Sequence, residues 1–464
     1  MKKIVGPLLL TLAVVGMFLS CAEIPPPVDS SSAARDPGVR GGAAGAGAPL
    51  AGLTKTELAF FHASKDEFAQ EEDVADGLGP TMNLDSCAGC HSQPAVGGTS
   101  PQVNPQVAFA TANGTTNAVP SFIMPKGPVR EARFVKNPEG TPDGGVHDLF
   151  TIAGRTDAPG YKLAQPNFEK ELVHRNVIFR IPTPVFGAGL IEQIPDQAIL
   201  ANQVKDLPKK NALKIAGRPN IVLAGHAISG QANNNGNDGT VARFGWKAQN
   251  KSLLLFSGEA YNVEMGITNE LFQTERDETA TCQFAAVPND VTKTDAKTPV
   301  EATSAIEKFA FFARFLAAPT PSRDTPGGAG SIARGRTRFT DTGCALCHTP
   351  TLNTGNTAVA ALRNQPVPLF SDLLVHDMGP GLADGITQGQ AGPTEFRTAP
   401  LWGLGQRLFF LHDGRTSDVR EAIRAHQSGS VLTGNASEAN GVIGNFNALQ
   451  DNQKQDVLNF LRSL

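Results

Sequence analysis

The chain has 464 residues, 18% of them charged and 40% hydrophobic, with a net charge of −4 and six cysteines. That length suits two or three domains with ordinary apolar cores and rules out a minimal scaffold stapled by disulfides. No dense Lys/Arg block occurs, so neither nucleic acid nor an anionic membrane surface is expected as a partner. The 48 Gly and 33 Pro point to a loop-rich fold, such as helix-rich domains adopt around a large flat cofactor.

The N-terminus, MKKIVGPLLLTLAVVGMFLSCAE, carries Lys2 and Lys3, an apolar run to Leu19, then Ser20 and Cys21. Residues 1–21 read as a secretory signal, too short for a convincing membrane span. Ser20-Cys21 also resembles a lipoprotein cleavage site, which would leave Cys21 acylated and the protein held at the cell envelope or in the periplasm. An ordinary signal peptide cut nearby is the alternative. Residues 22–52, rich in Pro, Ser, Ala and Gly, are expected to form a flexible linker.

Helical material from Leu53 to Phe68 precedes DSCAGCHSQP, where Cys87, Cys90 and His91 have the spacing Cys-x-x-Cys-His. Two thioether bonds at that spacing fix a haem ring and bring the adjacent imidazole to its iron. A second copy, DTGCALCHTP, supplies Cys344, Cys347 and His348. Redox-active Cys-x-x-Cys pairs and zinc binding are the competing readings, although no further cysteine pair is present to complete a structural zinc site. Cys282 is left over, by default an inert thiol.

Gly- and Pro-rich insertions, residues 95–120 and 230–239, lengthen the region after the first site. Within the second of these, Asn233 to Asp238 offers oxygen ligands for calcium, against the plainer reading of a polar loop. FRIPTPVFGAG at Phe179–Gly189 is echoed by FRTAPLWGLG at Phe396–Gly405, which suggests duplication of one haem-binding unit. Ile306 to Leu316 is an apolar helix candidate leading toward the second site. At the C-terminus Val457, Phe460, Leu461 and Leu464 fall on one helical face.

The stretches GLGPTMNLDSCAGCH, VHDLFTIAGR, RIPTPVFGAGLIE, RFGWKAQNKSLLLF, NVEMGITN, FTDTGCALCHTP, LLVHDMGPGLADG and FLHDGRTSDVREAIRAH together resemble the di-haem oxidoreductase branch of the bacterial di-haem cytochrome c peroxidases. The resemblance runs from about Leu53 to the C-terminus. It implies a mainly α fold of two cytochrome c-like haem domains with long loops and insertions, expected at residues 53–290 and 291–464. It also implies two covalently bound haem c, one reactive and one supplying electrons from a small cytochrome c or cupredoxin, with peroxide as oxidant. A non-catalytic electron carrier and an oxygenase are the alternatives.

By the same resemblance Glu264 in NVEMGITN is the catalytic acid-base, and Trp246 in RFGWKA stands between the haems. Tyr261 is a lesser candidate for a radical site or ligand. For the second iron, His426 is the expected sixth ligand opposite His348, with Met378 and then His376 competing; His412 is expected to make a polar contact instead. No histidine lies between His91 and His147, so either His147 reaches the first iron or that iron is open. The glutamine that accompanies the glutamate in many relatives has no clear counterpart.

Overall fold

The computed structural model describes residues 33–143, 156–162, 164–228, 238–274 and 285–464. The signal segment with Cys21, His147, Cys282 and all of the candidate calcium loop but Asp238 lie outside these residues. Among the described residues there are fourteen α-helices and eight short strands, the strands pairing only as four two-stranded antiparallel ribbons. The cores are therefore helical. No helix among them is long and apolar enough to cross a membrane.

Two helix pairs organise the chain. Helix Lys55–Phe68 begins at a capping box, in which the Thr54 hydroxyl accepts from the Glu57 amide and the Glu57 carboxylate accepts from the Thr54 amide. That arrangement satisfies donors a helix start leaves open. It packs on helix Ala305–Phe315, where Phe68 meets Phe312 at 4.9 Å between ring centroids. Helix Gly328–Asp341 meets helix Asp451–Ser463 in the same manner, with Phe339 and Phe460 at 5.4 Å. In each pair the earlier ring also stands beside the histidine of the following motif, Phe68 at 5.9 Å from His91 and Phe339 at 6.2 Å from His348.

The sequence echo has one backbone role in both halves. Gly187 and Gly403 are left-handed, with φ of +66° and +75°, and each starts a short helical turn. Their amides donate to the carbonyls of Leu316 at 3.0 Å and Leu464 at 2.9 Å, at the ends of the two closing helices. A Cβ on Gly189 would lie 2.0 Å from the Arg314 carbonyl oxygen, and one on Gly405 2.2 Å from that of Arg462. Only glycine allows that approach.

Two expectations change. Ile306 to Leu316 is helical, but it closes the first unit instead of leading into the second site. Although it lies beyond the expected boundary at residue 290, Phe309, Phe312 and Phe315 are buried with Phe61, Leu253 and Tyr261. Periodicity reveals a buried face without naming the core that covers it. The C-terminal stripe of Val457, Phe460, Leu461 and Leu464 is buried as its spacing predicts.

The second change concerns the linker, whose described part, residues 33–52, docks onto both halves. Asp36 forms an ion pair with Arg462 at 2.6 Å, and the Arg40 amide donates to Gly405 at 2.9 Å. Farther on, Thr320 donates to Gly45 at 2.9 Å and Leu50 to Phe315 at 2.7 Å. A few specific polar anchors thus order a segment whose composition reads as disordered.

Candidate functional site

The first Cys-x-x-Cys-His opens on a cavity of about 1450 Å³, mouth included. Cys87–Cys90 is a single helical turn, and His91 closes it by donating its amide to Cys87 at 2.9 Å, so both thiols and the imidazole reach the same space. His91 Nδ1 lies 3.1 Å from the Gly98 carbonyl oxygen. The proton belongs on that nitrogen, which leaves the Nε2 lone pair for a metal. Nε2 is 3.7 Å from Glu264 Oε2. Glu264 comes from the last turn of helix Leu253–Met265, which Ser252 caps at 3.2 Å from the Leu255 amide and Gly266 ends at φ +71°. Its side chain is 41% exposed.

Other residues of this cavity escaped the sequence reading. Glu259, five positions before Glu264 on the same helix, is buried and accepts from the side-chain amides of Asn250 and Gln249. Burial raises its pKa to about 7. Gln249 is thus an amide in the wall of the cavity, although it stands fifteen positions before Glu264. Isolated Glu and Gln carry no signal, because they are usually surface residues. Tyr261 also lines the cavity, donating to Glu72 at 3.1 Å, and burial raises Glu72 to about 7.

The second motif opens on a cavity of about 1390 Å³. Gly343, at φ +101°, turns the chain into Cys344–Leu346, and the His348 amide donates to Cys344 at 2.9 Å. His348 Nδ1 lies 3.0 Å from the Phe370 carbonyl oxygen. His426, at the C-terminal end of helix Val419–Ala425, has Nδ1 2.8 Å from the Ala422 carbonyl oxygen. Both imidazoles therefore keep Nε2 available, and both line the cavity. Burial, reinforced by His426, pushes His348 down to about 4; burial likewise lowers His426.

The competing ligands fare differently. His376 has Nδ1 2.7 Å from Glu438 Oε2 and Nε2 3.0 Å from Asp372 Oδ2, so neither nitrogen is free for a metal. Met378 lines the same cavity, buried against Leu382 and Phe396. His412 stacks on Phe396 at 4.4 Å. Trp246 borders both cavities, its indole N–H donating to Ile181 at 3.1 Å.

The donor set fits a haem in each cavity. Neither cysteine pair is joined as a disulfide. Burial raises the Cys87 thiol and lifts Cys344 to about 11, contrary to the acidic thiol of a redox-active pair. Among the described residues no group of three or more His, Cys, Asp and Glu is arranged to hold a metal ion by itself. Arg133 and Arg180 line the first cavity; each already pairs with a carboxylate, Glu131 and Asp384 respectively, yet keeps a buried Nη1 that lacks a hydrogen-bond partner. Arg397 and Arg407 line the second, and burial lowers both to about 10. Buried guanidinium groups call for carboxylates, which the propionates of a haem provide beside its apolar face.

No curated protein matches the chain. Among solved structures, hydrazine synthase from Kuenenia stuttgartiensis is 17% identical over 45% of this chain and 60% of its own, with a TM-score of 0.25. The diheme peroxidase BthA from Burkholderia thailandensis is 16% identical over 48% of this chain and 65% of its own, with a TM-score of 0.29. The chain thus spans less than two thirds of the length of either, and likeness at this level carries no argument. The family described as "di-haem oxidoreductase, putative peroxidase" matches residues 133–464. Most of the chain lies in that match, and the chain belongs to this family, which implies two haem cofactors.

Proposed function

We propose that the protein is an exported, lipid-anchored di-haem c-type cytochrome that reduces peroxide at the first cavity with electrons relayed through the second. Haems held by thioethers from Cys87 and Cys90, and from Cys344 and Cys347, would supply the electron exchange. In this reading each helix pair frames one cytochrome c-like unit, and Trp246 stands where the two meet.

The observation that carries the proposal is the unequal furnishing of the two cavities. His348 and His426 both present Nε2 to the second, which suits an iron that only passes electrons. Its lining carboxylate, Glu438, is already committed to His376. The first cavity has no second histidine among its described lining residues, and Glu264 and Glu259 line it instead.

Reducing peroxide to two waters consumes two electrons and two protons. Glu264, at the exposed end of its helix, can exchange protons with water and hand them to the departing oxygen. Glu259 retains a proton near neutral pH deeper in the wall. The electrons would arrive singly from a small cytochrome c or a cupredoxin.

The test is steady-state peroxide turnover by the half-reduced, haem-loaded protein. Glu264→Gln is expected to lower it by about 10²–10⁴, the usual worth of a positioned acid-base. Two low-spin haems that ignore both peroxide and cyanide, even after half-reduction, would overturn the proposal.

A further inference from the structure

The helix that brings His426 to the second cavity, Val419–Ala425, has only seven residues, about two turns. An element that short has little stability of its own, so its tertiary contacts decide where its end lies. Its own cap, Asp418, accepts from the amides of Arg420 and Glu421 at 2.7 and 3.3 Å. The first amide goes elsewhere. Val419 donates at 2.8 Å to Asp36 Oδ2, a carboxylate 383 positions earlier in the chain. A buried helix start must place such donors, and here the docked N-terminal segment takes one of them.

Two further contacts tie the same helix to that segment. Arg420 Nη1 donates to the Ala34 carbonyl oxygen at 2.6 Å, and the Ala34 methyl is packed in one core with Val419 and Ala422. Ala422 is the residue whose carbonyl lies 2.8 Å from His426 Nδ1 and so orients the imidazole. Asp36 is itself held from the opposite side. Arg462 Nε and Nη2 reach its two oxygens at 2.7 and 2.6 Å, and the Arg462 side chain is only 1% exposed. Such a two-pronged pair fixes the carboxylate in direction as well as in place. One side chain thus joins the closing helix Asp451–Ser463 to the helix that ends at His426.

We infer that Asp36 is a positioning residue for the second haem: through the Val419 amide it sets the place of helix Val419–Ala425 and keeps the His426 imidazole on its iron. The inference rests on the reading that His426 is the sixth ligand there, and it gives the N-terminal segment a part in electron transfer. Asp36 does not line the cavity, so it acts only through the helix. With the helix untied, His426 leaves more often and a small molecule can take its place. The exchange is redox-neutral: the imidazole nitrogen leaves with its lone pair, and the incoming ligand brings its own.

The experiment uses the reduced, haem-loaded protein and carbon monoxide, which binds ferrous haem only where a coordination position opens. In Asp36→Asn a single side-chain oxygen is left to serve both Arg462 and Val419. Carbon monoxide should then bind the second haem about tenfold faster, the lower end of what losing a hydrogen bond to a charged group is worth, while the response of the first haem stays as it was. Val419→Pro removes the amide and leaves the Asp36–Arg462 pair intact. Proline suits the first position of a helix, and Asp418, at φ −103° and ψ 120°, already has the extended backbone that a following proline requires. This variant should open the second haem in the same way, and it answers the question if Asp36→Asn fails to load haem. Loaded variants that melt at a lower temperature but keep the second haem closed to carbon monoxide would reduce Asp36 to a structural anchor and overturn the inference. His426→Ala separates the two claims. If the second haem stays closed there as well, the ligand reading falls; if it opens in His426→Ala but in neither of the other variants, the inference alone falls.

Discussion

The indole of Trp246 meets the imidazole of His412 edge-on, with 6.4 Å between ring centroids, in a wall that both cavities share. His412 in turn stacks on Phe396, and the Lys247 ammonium lies 4.2 Å from the centre of that ring. Trp246 borders both cavities, and His412 and Phe396 continue from it along the wall of the second. Replacing Trp246 by Phe should leave both haem spectra intact and slow electron exchange between the sites tenfold or more, about 1.4 kcal/mol on the barrier. Flash reduction of one haem followed at the absorption of the other measures this; an unchanged rate removes Trp246 from the path.

In the proposed reading His348 and His426 would together hold the iron of the second haem. A thioether favours ferrous iron more than an imidazole does. His426→Met should therefore raise the potential of the second haem by on the order of a hundred millivolts, a modest part of the roughly 0.8 V that axial ligands span. Spectroelectrochemical titration would show it. If only the other haem responds, His426 serves the wrong cavity.

The twin glycines make a structural prediction. Since a Cβ at Gly189 or Gly405 would stand within bonding range of a carbonyl oxygen, each change to Ala must push a closing helix away. The cost should be about 3 kcal/mol at either site, the upper range for overpacking, read from urea denaturation. Equal losses support equal roles, whereas a silent Gly189→Ala would break the correspondence between the halves.

Glu259 makes stability depend on pH. Burial holds its pKa near 7 against an ordinary 4.5, so the folded chain keeps a proton that the unfolded chain has already released. Stability on this account falls as pH rises from about 4.5 to about 7 and then levels off. Glu259→Gln cannot ionise, so its advantage over the unaltered protein should widen between pH 5 and pH 8 by on the order of 2–3 kcal/mol. Glu72 retains its own share of the decline in both proteins. A gap that stays constant with pH would mean that Glu259 is ionised throughout.

Contiguous chemistry was the easiest part to read. Cys87, Cys90 and His91 share the single turn that their spacing predicts, and FRIPTPVFGAG and FRTAPLWGLG match because both must pass a helix end closely. Placement in three dimensions was harder. The stripe in Ile306–Leu316 predicted a helix correctly, but which unit it completes depends on contacts with Phe61 and Phe68, more than two hundred positions away. Arg133, Gln249 and Glu259 look like surface residues in the sequence and gain meaning only through the cavity they share. His376, the third candidate ligand in the sequence, has both ring nitrogens taken by Asp372 and Glu438, partners four and sixty-two positions away.

If Cys21 carries the proposed acyl group, the docked segment after residue 33 also limits where the protein can stand. Ala34 is buried, and its carbonyl oxygen accepts from Arg420 at 2.6 Å. Thirteen positions separate it from Cys21. An extended chain covers at most about 3.3–3.6 Å per residue, so an acyl group on Cys21 would keep Ala34 within about 45 Å of the bilayer. A linker free as far as residue 52 would more than double that reach. The leash, moreover, is fastened to the half that holds the second cavity, through Arg462 and Val419. An electron carrier would then find its docking face at a bounded height above the lipid, and carriers too bulky for that gap would be excluded by geometry alone.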